Sequence, residues 1–493
     1  MNSWMKKLAL HYEKTRGLCQ GDRLMILFDI DGTILDMRHM ILHVLKSFDR
    51  SHGTGFFKNL SLGDISVHEN QVEKLLAKFE IPNENREKIL CWYKEHRWTS
   101  NAILASHRPF AGVMEVIRWF QMQPNTSVAL NTGRPEILRA QTLRSLNSLG
   151  GEYKVRFTNS LLYMNPYGWE ENVADIKAAG VLHFQRAGYR VFAVVDNEPE
   201  NLNSISEVDP HQEVLLLHAN TIFESKRKKL PEGSVSGNVY DITELIKEKA
   251  LPRHIQFVWH GVNDEANLRQ FLGANIQWAE CDVRKDPSNR DIILRHDSFA
   301  ETPLSDDEDL LLLKDMVYRL KAMGKSIKLD LKENGILVDS VLELLKVNTL
   351  EDAHLWFNAN VDLLKEKGFR KLRKAYPSAI IQCPINHITP LILSHPVKAN
   401  KILSTLKDWG INRFSMKWHT LHLRKVLDRT DRFGFEVNIY DVPDLESFLK
   451  TVLLMPRSIT SDFNFPKWHY FGRGSGKRYK HYEYIISNLP QNA

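Results

Sequence analysis

Two apolar runs, one in each half of the chain, carry acidic residues spaced two apart at or near their ends. In the first half Leu24–Phe28 leads into Asp29-Ile30-Asp31-Gly32-Thr33. In the second, Ile276–Val283 holds Glu280 and Asp282, and Ile327–Lys332 holds Asp330. A continuous apolar run of this length reads as a buried parallel strand. Alternate residues of a strand share a face, so each acidic pair points one way at a strand end. Such carboxylates repel one another unless a cation or a cationic side chain joins them. At 493 residues the chain exceeds one compact core, and two such sites call for at least two domains.

The first half is predicted to be a doubly wound α/β sheet. After Leu24–Phe28, strand-like runs return at Ser127–Leu130, Tyr189–Val195 and Glu213–Leu217, separated by helical stretches. In such sheets ligands sit at the carboxyl ends of the strands. Between the first two strands, residues 38–108 carry apolar residues at helical spacing over Met40–Phe48, Val67–Phe79 and Arg86–Trp98, which predicts an inserted helical cap. Residues 1–21 read as an N-terminal helical extension, 22–252 as the first domain, and Asp241–Arg253 as a last helix with a Pro-containing junction.

The second domain, 253–466, offers eight strand candidates: Ile255–His260, Ile276–Val283, Ile327–Lys332, Leu355–Val361, Ala379–Pro384, Arg413–Trp418, Phe435–Tyr440 and Ser458–Phe463. Helical patterns such as Leu310–Met323 and Ala399–Asp408 fall between them. Eight strand–helix units predict a (β/α)8 barrel, where polar residues at strand C-termini tend to be catalytic.

Composition narrows the setting. The chain is 43% hydrophobic and 26% charged, with a net charge of +6. This suits anionic partners without requiring them. The four cysteines, Cys19, Cys91, Cys281 and Cys383, form no CxxC pair, so free thiols are expected rather than zinc or disulfides. No run approaches the ~18 apolar residues of a membrane span, and the first 21 residues lack a signal-peptide core. The reading is a cytoplasmic protein. The segment 467–493, with Trp468, Tyr470, Phe471, Arg473, Lys477 and Arg478, combines charge with stacking rings that could touch RNA; a packed terminal helix with solvated lysines is the preferred expectation.

Residues 29–33 resemble the first motif of the haloacid dehalogenase (HAD) superfamily of phosphatases. Val128–Arg134, Lys177 within Ala174–Ala179, and Val194–Glu200 resemble its second, third and fourth motifs. The resemblance implies that Asp29 attacks phosphorus and that Asp31 protonates the leaving oxygen and then activates water. It further implies that Thr132 and Lys177 hold the phosphoryl group, with Mg²⁺ on Asp29, Asp196 and the Asp31 carbonyl. Asn131 and Arg134 are candidate substrate contacts and Glu200 a supporting acid. The family's paired acids at the fourth motif are here Asp196-Asn197, a departure from the pattern.

Trp259-His260-Gly261, Glu280-Cys281-Asp282, Arg295-His296-Asp297 and Asp330-Leu331-Lys332 resemble the phospholipase C-like phosphodiesterases. That superfamily includes the glycerophosphodiester phosphodiesterases (GDPD), and the menorin-type branch is the most similar. The resemblance implies His260 and His296 as the acid/base pair and Glu280, Asp282 and Asp330 as ligands of Mg²⁺ or Ca²⁺. Lys332 becomes a phosphate contact. Gly261 directly after His260 replaces the family's His-Arg-Gly opening, and the large insertion after His296 is absent. Lys328, on the face of Asp330, is expected inside the barrel in a charge pair with a nearby carboxylate. His354, His387, His419 and His422 are expected to be surface or core residues. The leading reading is a bifunctional hydrolase. A nucleic-acid end-repair phosphatase with an RNA-contacting barrel, and one active domain beside an inactive binding module, are the alternatives.

Overall fold

The computed structural model describes residues 3–168, 172–221, 229–305, 308 and 310–461, and the backbone of 471–473 and 481–483. The chain divides into two compact units, Met1–Lys247 and Glu248–Ala493.

The first unit is built on a six-stranded parallel sheet: β1 Arg23–Phe28, β2 Thr126–Pro135, β3 Leu162–Asn165, β4 Tyr189–Asp196, β5 Leu215–Ala219 and β6 Val235–Gly237, in the order β3-β2-β1-β4-β5-β6. Leu24–Phe28 is buried along its length, as a central strand covered on both faces must be. The short strands β3 and β6 carry too little apolar pattern to be read from sequence. The helix Trp4–Leu18 is no separate extension. It buries Met5, Leu8, Ala9 and Tyr12 within this unit, and Trp4 lies against Gly237 and donates from Nε1 to the Val239 carbonyl at 2.6 Å.

Between β1 and β2 stand the helices Arg38–His52, Val72–Leu76, Asn83–His96 and Ser100–Ser106. The helix expected over 67–79 survives only as Val72–Leu76. His68 is extended (φ −65°, ψ 151°), and its Nδ1 accepts the Asn70 backbone N–H at 3.1 Å. That local bond competes with the helix and leaves a short 3₁₀ turn, Glu69–Gln71.

The second unit is a closed barrel of eight parallel strands: β7 Gln256–Trp259, β8 Trp278–Lys285, β10 Ser326–Leu331, β11 Leu355–Asn358, β12 Ile380–Pro384, β13 Arg413–Lys417, β14 Glu436–Val442 and β15 Ser458–Ser461. A short strand, β9 Ile292–Leu294, pairs antiparallel with β8 outside the ring. Asp264 caps the helix Glu265–Gly273 by accepting the Asn267 N–H, which stops β7 and turns the chain into its first crossover. In the tail, Phe471–Arg473 and His481–Glu483 pair as an antiparallel ribbon; Trp468, Tyr470, Lys477 and Arg478 lie outside the described residues. No described helix is long and apolar enough to cross a membrane.

Candidate active sites

Asp29 ends β1, and its backbone N–H donates to the Val195 carbonyl of β4 at 2.9 Å. Lys177 approaches from the helix Val173–Arg186, whose start is capped by Asn172. Its buried ammonium donates to Asp29, to Asp196 Oδ2 at 2.7 Å and to the Asn131 carbonyl at 2.7 Å. The Glu198 N–H (2.9 Å) and Asn201 Nδ2 (3.0 Å) fix the other Asp196 oxygen. Burial and the charges of Asp196 and Asp31 push the Asp29 carboxyl up, against the pull of Lys177. Burial alone would lower the Lys177 amine, and the two carboxylates hold it above its ordinary value.

Asn197 bears on whether a cation fits here. One atom of its amide end faces the Asp31 carbonyl at 3.1 Å and Asp29 Oδ2 at 3.3 Å, and the Thr33 hydroxyl lies 3.4 Å away. With nitrogen there, the amide donates to both oxygens. With oxygen there, three oxygens converge with Asp196 nearby, the donor set of a hard cation. The residues fit Mg²⁺, and Asn197 stands where the family pattern has its second acid. Gly32 (φ +81°) is required beside it, because a Cβ would lie 2.5 Å from the Asn197 amide.

Arg134, a candidate substrate contact, lines the cavity but is itself buried and grips Asp31 through Nε at 2.7 Å and Nη2 at 2.5 Å, with Nη1 on Thr142 at 3.1 Å. Burial alone would raise the Asp31 carboxyl, and Arg134 holds it below the usual range. Asn131 points away from the cavity, donating to the Lys177 carbonyl at 2.8 Å and packing on Gly180, because it alternates with Thr132 along β2.

Asp29, Asp31, Thr132, Lys177, Glu198 and Glu200 line a cavity of about 560 Å³. Its other wall comes from the inserted helices: His68, Glu69, Asn70, Arg97 and Trp98. His68 Nε2 lies 3.2 Å from Glu198 and 3.3 Å from Glu69. Sequence reasoning missed these residues. The one available signal was a His-Glu-Asn run interrupting a helical period.

In the barrel, β8 and β10 pair Glu280 with Lys328 and Asp282 with Asp330, so two layers of charge face inward. One oxygen from each of Glu280, Asp282 and Asp330 lies within 4.8 Å of the others. An all-oxygen set of this size fits Mg²⁺ or Ca²⁺. Asn263 Nδ2 donates to Asp282 at 2.6 Å, Asn358 Nδ2 to Asp330 at 2.8 Å, and Gln382 Nε2 to Asn358 at 2.7 Å. Gly261, at φ +68°, turns its N–H onto Glu280 Oε2 at 2.8 Å, which is what a glycine directly after His260 permits.

Lys332 is found on the carboxylates, 2.8 Å from Asp282 and 2.6 Å from Asp330. Burial alone would raise Asp282, and Lys332 outweighs it. Burial and the Asp282 charge push Glu280 up. Among the described residues, Lys328 forms no ion pair within 4 Å. Its amine donates to Thr460 at 3.0 Å and faces the Trp356 ring at 5.0 Å, and burial lowers its pKa. In register Lys328 stands opposite Glu280, whose charge opposes the lowering by burial without closing the expected ion pair.

His260 lies 3.8 Å from Glu280, and His296 Nδ1 lies 2.5 Å from Asp297. The His296 loop is stapled from below. Fully buried Arg295 binds Glu308 (2.7 Å) and the carbonyls of Asp297 and Thr302 (2.8 Å each), while Arg284 Nη2 binds the His296 carbonyl at 2.9 Å. The barrel mouth is a cavity of about 700 Å³ lined by both histidines, the three carboxylates, Lys328 and Lys332, with Lys417 and Tyr440 across from them. His354, His387, His419 and His422 do not line it.

No protein-family model matches the chain, and no curated protein does. Solved structures similar to parts of it fall into two groups. A glycerophosphodiester phosphodiesterase from Parabacteroides distasonis is 14% identical over 42% of this chain and 93% of its own, with a TM-score of 0.32. A phosphodiesterase from Oleispira antarctica, solved with the product sn-glycerol-3-phosphate, is 15% identical over 43% of this chain and 94% of its own, with a TM-score of 0.34. A HAD family hydrolase from Deinococcus radiodurans, solved with phosphate and sodium, is 14% identical over 40% of this chain and 80% of its own, with a TM-score of 0.27.

Proposed function

We propose that the chain is a two-site, metal-dependent hydrolase of phosphoric esters, with a phosphomonoesterase in the first unit and a phosphodiesterase in the barrel. The observation that carries this reading is shared by both units. At the carboxyl ends of parallel strands, converging carboxylates are bridged by one lysine: Lys177 on Asp29 and Asp196, Lys332 on Asp282 and Asp330.

In the first unit Asp29 is the nucleophile, forming a bond to phosphorus as the ester oxygen departs. Thr132 and Lys177 hold the transferring phosphoryl group. Asp31, fixed by Arg134, passes a proton to the leaving oxygen and then takes one from the water that opens the aspartyl phosphate. Asp29, Asp196 and the Asp31 carbonyl would hold Mg²⁺, with the Asn197 amide beside them. When bound, that ion offsets the repulsion between an anionic nucleophile and an anionic ester.

In the barrel, Glu280, Asp282 and Asp330 would hold the cation, which polarises the phosphodiester. His260 and His296 exchange protons with the attacking and leaving oxygens, and Lys332 turns from the carboxylates toward the phosphate. The substrates are small phosphate esters, a glycerophosphodiester or lysophospholipid in the barrel, and a cytoplasmic setting belongs to the same reading.

The two sites are tested separately on the full chain. Mg²⁺-dependent release of phosphate from an aryl monoester should vanish in Asp29→Asn; wild-type activity in that variant would remove the aspartyl-phosphate step. For the barrel, Mg²⁺ or Ca²⁺ should raise the upper or lower of two melting transitions by mass action. Glu280→Gln with Asp282→Asn should erase that shift, while His296→Ala should keep it and lose diester cleavage. No calorimetric binding at millimolar divalent ion would favour a barrel that binds ligands without turnover.

A further inference from the structure

Across the barrel mouth from the three carboxylates, the ends of two neighbouring strands build a second charged wall. Lys417 ends β13 and stands in register with Tyr440 of β14, so the two share a face. Past Tyr440 the strand is irregular. Ile439 faces Ile459 of β15 and Val442 faces Ser461, so β14 carries one residue more than its neighbour. Such a bulge re-aims side chains. Tyr440 and Asp441, consecutive in sequence, both line the cavity instead of alternating in and out. Asp441 adopts the left-handed conformation to do so (φ +57°), a strained backbone of the kind that gathers at ligand-binding positions.

These side chains are open to the cavity. The Lys417 ammonium lies 3.1 Å from Asp441 Oδ2, and the two side chains are 42% and 34% exposed. Asn386 holds the frame: its Oδ1 accepts the Lys417 backbone N–H at 3.0 Å, and its Nδ2 donates to the Tyr440 hydroxyl at 2.6 Å. Among the described residues the proton of that hydroxyl has no acceptor. Burial raises the phenol and the Asp441 and Asp330 charges add to this, so the proton stays in place. The wall therefore offers two donors, with the Lys417 nitrogen 5.8 Å from the Tyr440 ring centre, and one anionic acceptor.

A half-exposed ion pair contributes little and opens readily, provided that each charge finds a new partner. A substrate with a lone ammonium would take Asp441 and face Lys417 with like charge. A lone carboxylate would meet Asp441 in the same way. A neutral hydroxyl can use the wall but gains only ordinary hydrogen bonds. A group carrying both an ammonium and a carboxylate satisfies all three side chains. Its ammonium meets Asp441, and its carboxylate oxygens meet Lys417 and Tyr440.

We propose that this wall is the head-group subsite of the barrel, and that it takes the amino-acid zwitterion of a serine-type phosphodiester. This rests on the phosphodiesterase reading above and narrows its substrate class. Lys417, Tyr440 and Asp441 select the ester, and the groups on the opposite wall cleave it.

The experiment compares glycerophosphoserine, glycerophosphoethanolamine, glycerophosphocholine and glycerophosphoglycerol on the full chain with Mg²⁺ or Ca²⁺, alongside bis-nitrophenyl phosphate. The serine ester should exceed each of the others in kcat/KM by roughly tenfold or more, the scale of one charge-assisted hydrogen bond. Asp441→Asn keeps a residue that tolerates the left-handed backbone. It should lower the serine-to-glycerol ratio several-fold, mainly through KM, and the ethanolamine-to-glycerol ratio with it. Lys417→Met should also lower the serine-to-glycerol ratio, but should raise the ethanolamine ester relative to the serine ester. Calorimetric titration of His296→Ala with the serine and glycerol esters repeats the comparison without turnover. Equal use of the serine and glycerol esters overturns the inference and leaves the phosphodiesterase standing. A preference for the ethanolamine or choline ester overturns it in favour of a cationic head group held by Asp441 alone. Cleavage of the aryl diester with none of the glycerol esters overturns it as well. Failure on every diester, the aryl one included, removes the phosphodiesterase reading and this inference with it.

Discussion

Arg134 changes what can be expected of Asp31. A carboxylate held by a bidentate guanidinium in a buried site keeps its charge and gives up a proton donor's role in the free protein. The proton that leaves with the alcohol must then arrive with the substrate. A phosphate monoester carries one below its second pKa of about 6, and Asp31 can relay it. For a poor leaving group such as an alkyl phosphate, kcat/KM is therefore expected to fall as pH rises through about 6, while a nitrophenyl ester shows a weaker decline. A profile level from pH 5 to 8 for the alkyl ester would show that Asp31 brings its own proton.

At the scale of elements, the end of β2 is tied to the chain entering it through His107. The imidazole is 2% exposed; Nδ1 donates to Ser145 Oγ at 2.8 Å, and Nε2 accepts from Arg134 Nη2 at 3.4 Å. Burial, helped by the Arg134 and Arg108 charges and opposed by Asp31, drives its pKa down to about 3. The sign follows directly. Unfolded, the ring takes up a proton as pH falls through about 6.5, and folded it does not until about 3. Its contribution is whole above pH 6.5 and is lost on acidification through that window, by at most about 1.4 kcal/mol per pH unit. His107→Gln should melt lower than wild type at pH 7.5, with the gap closing by pH 5; a constant gap would contradict a neutral buried ring. Elements of this kind show how far sequence reading reaches. The core strands β1, β2 and β4 and all eight barrel strands were legible from apolar period, and strand ends drew attention to Asp29, Asp196 and the barrel carboxylates, whereas Lys177, on a helix, came only from the motif resemblance. Asn131 was misread because alternation along β2 sets it away from the cavity, and the grip of Arg134 on Asp31 had no signal in the sequence. Arg97 and His107 had no signal, and Glu69 only that of a run breaking a helical period, since only tertiary packing brings 68–107 to β1 and β2.

For the whole molecule, two units of about equal size meet at Lys247–Glu248, among short turns rather than in a long helix. A closed barrel has its own core and no unpaired edge. Limited proteolysis is expected to cut at 243–254 and release two fragments, each with its own cooperative melt. A single transition lost entirely on that cut would mean the units fold as one. For the two proposed activities, fusion alone suggests successive steps on one ester, a diester opened and its monoester then stripped of phosphate.

The fit of Trp4 against Gly237, where any Cβ would stand 2.2 Å from the indole, bears on how the chain is made. The helix Trp4–Leu18 has its seat on strands that are among the last of its unit to be synthesised. Until Val235–Gly237 has emerged, Trp4 lacks its native seat, although Tyr12 on the same helix can already pack on Phe120 and Phe192. Native cover for the head of this helix thus comes only when its unit is almost wholly synthesised, and until then that apolar surface is open to misassociation.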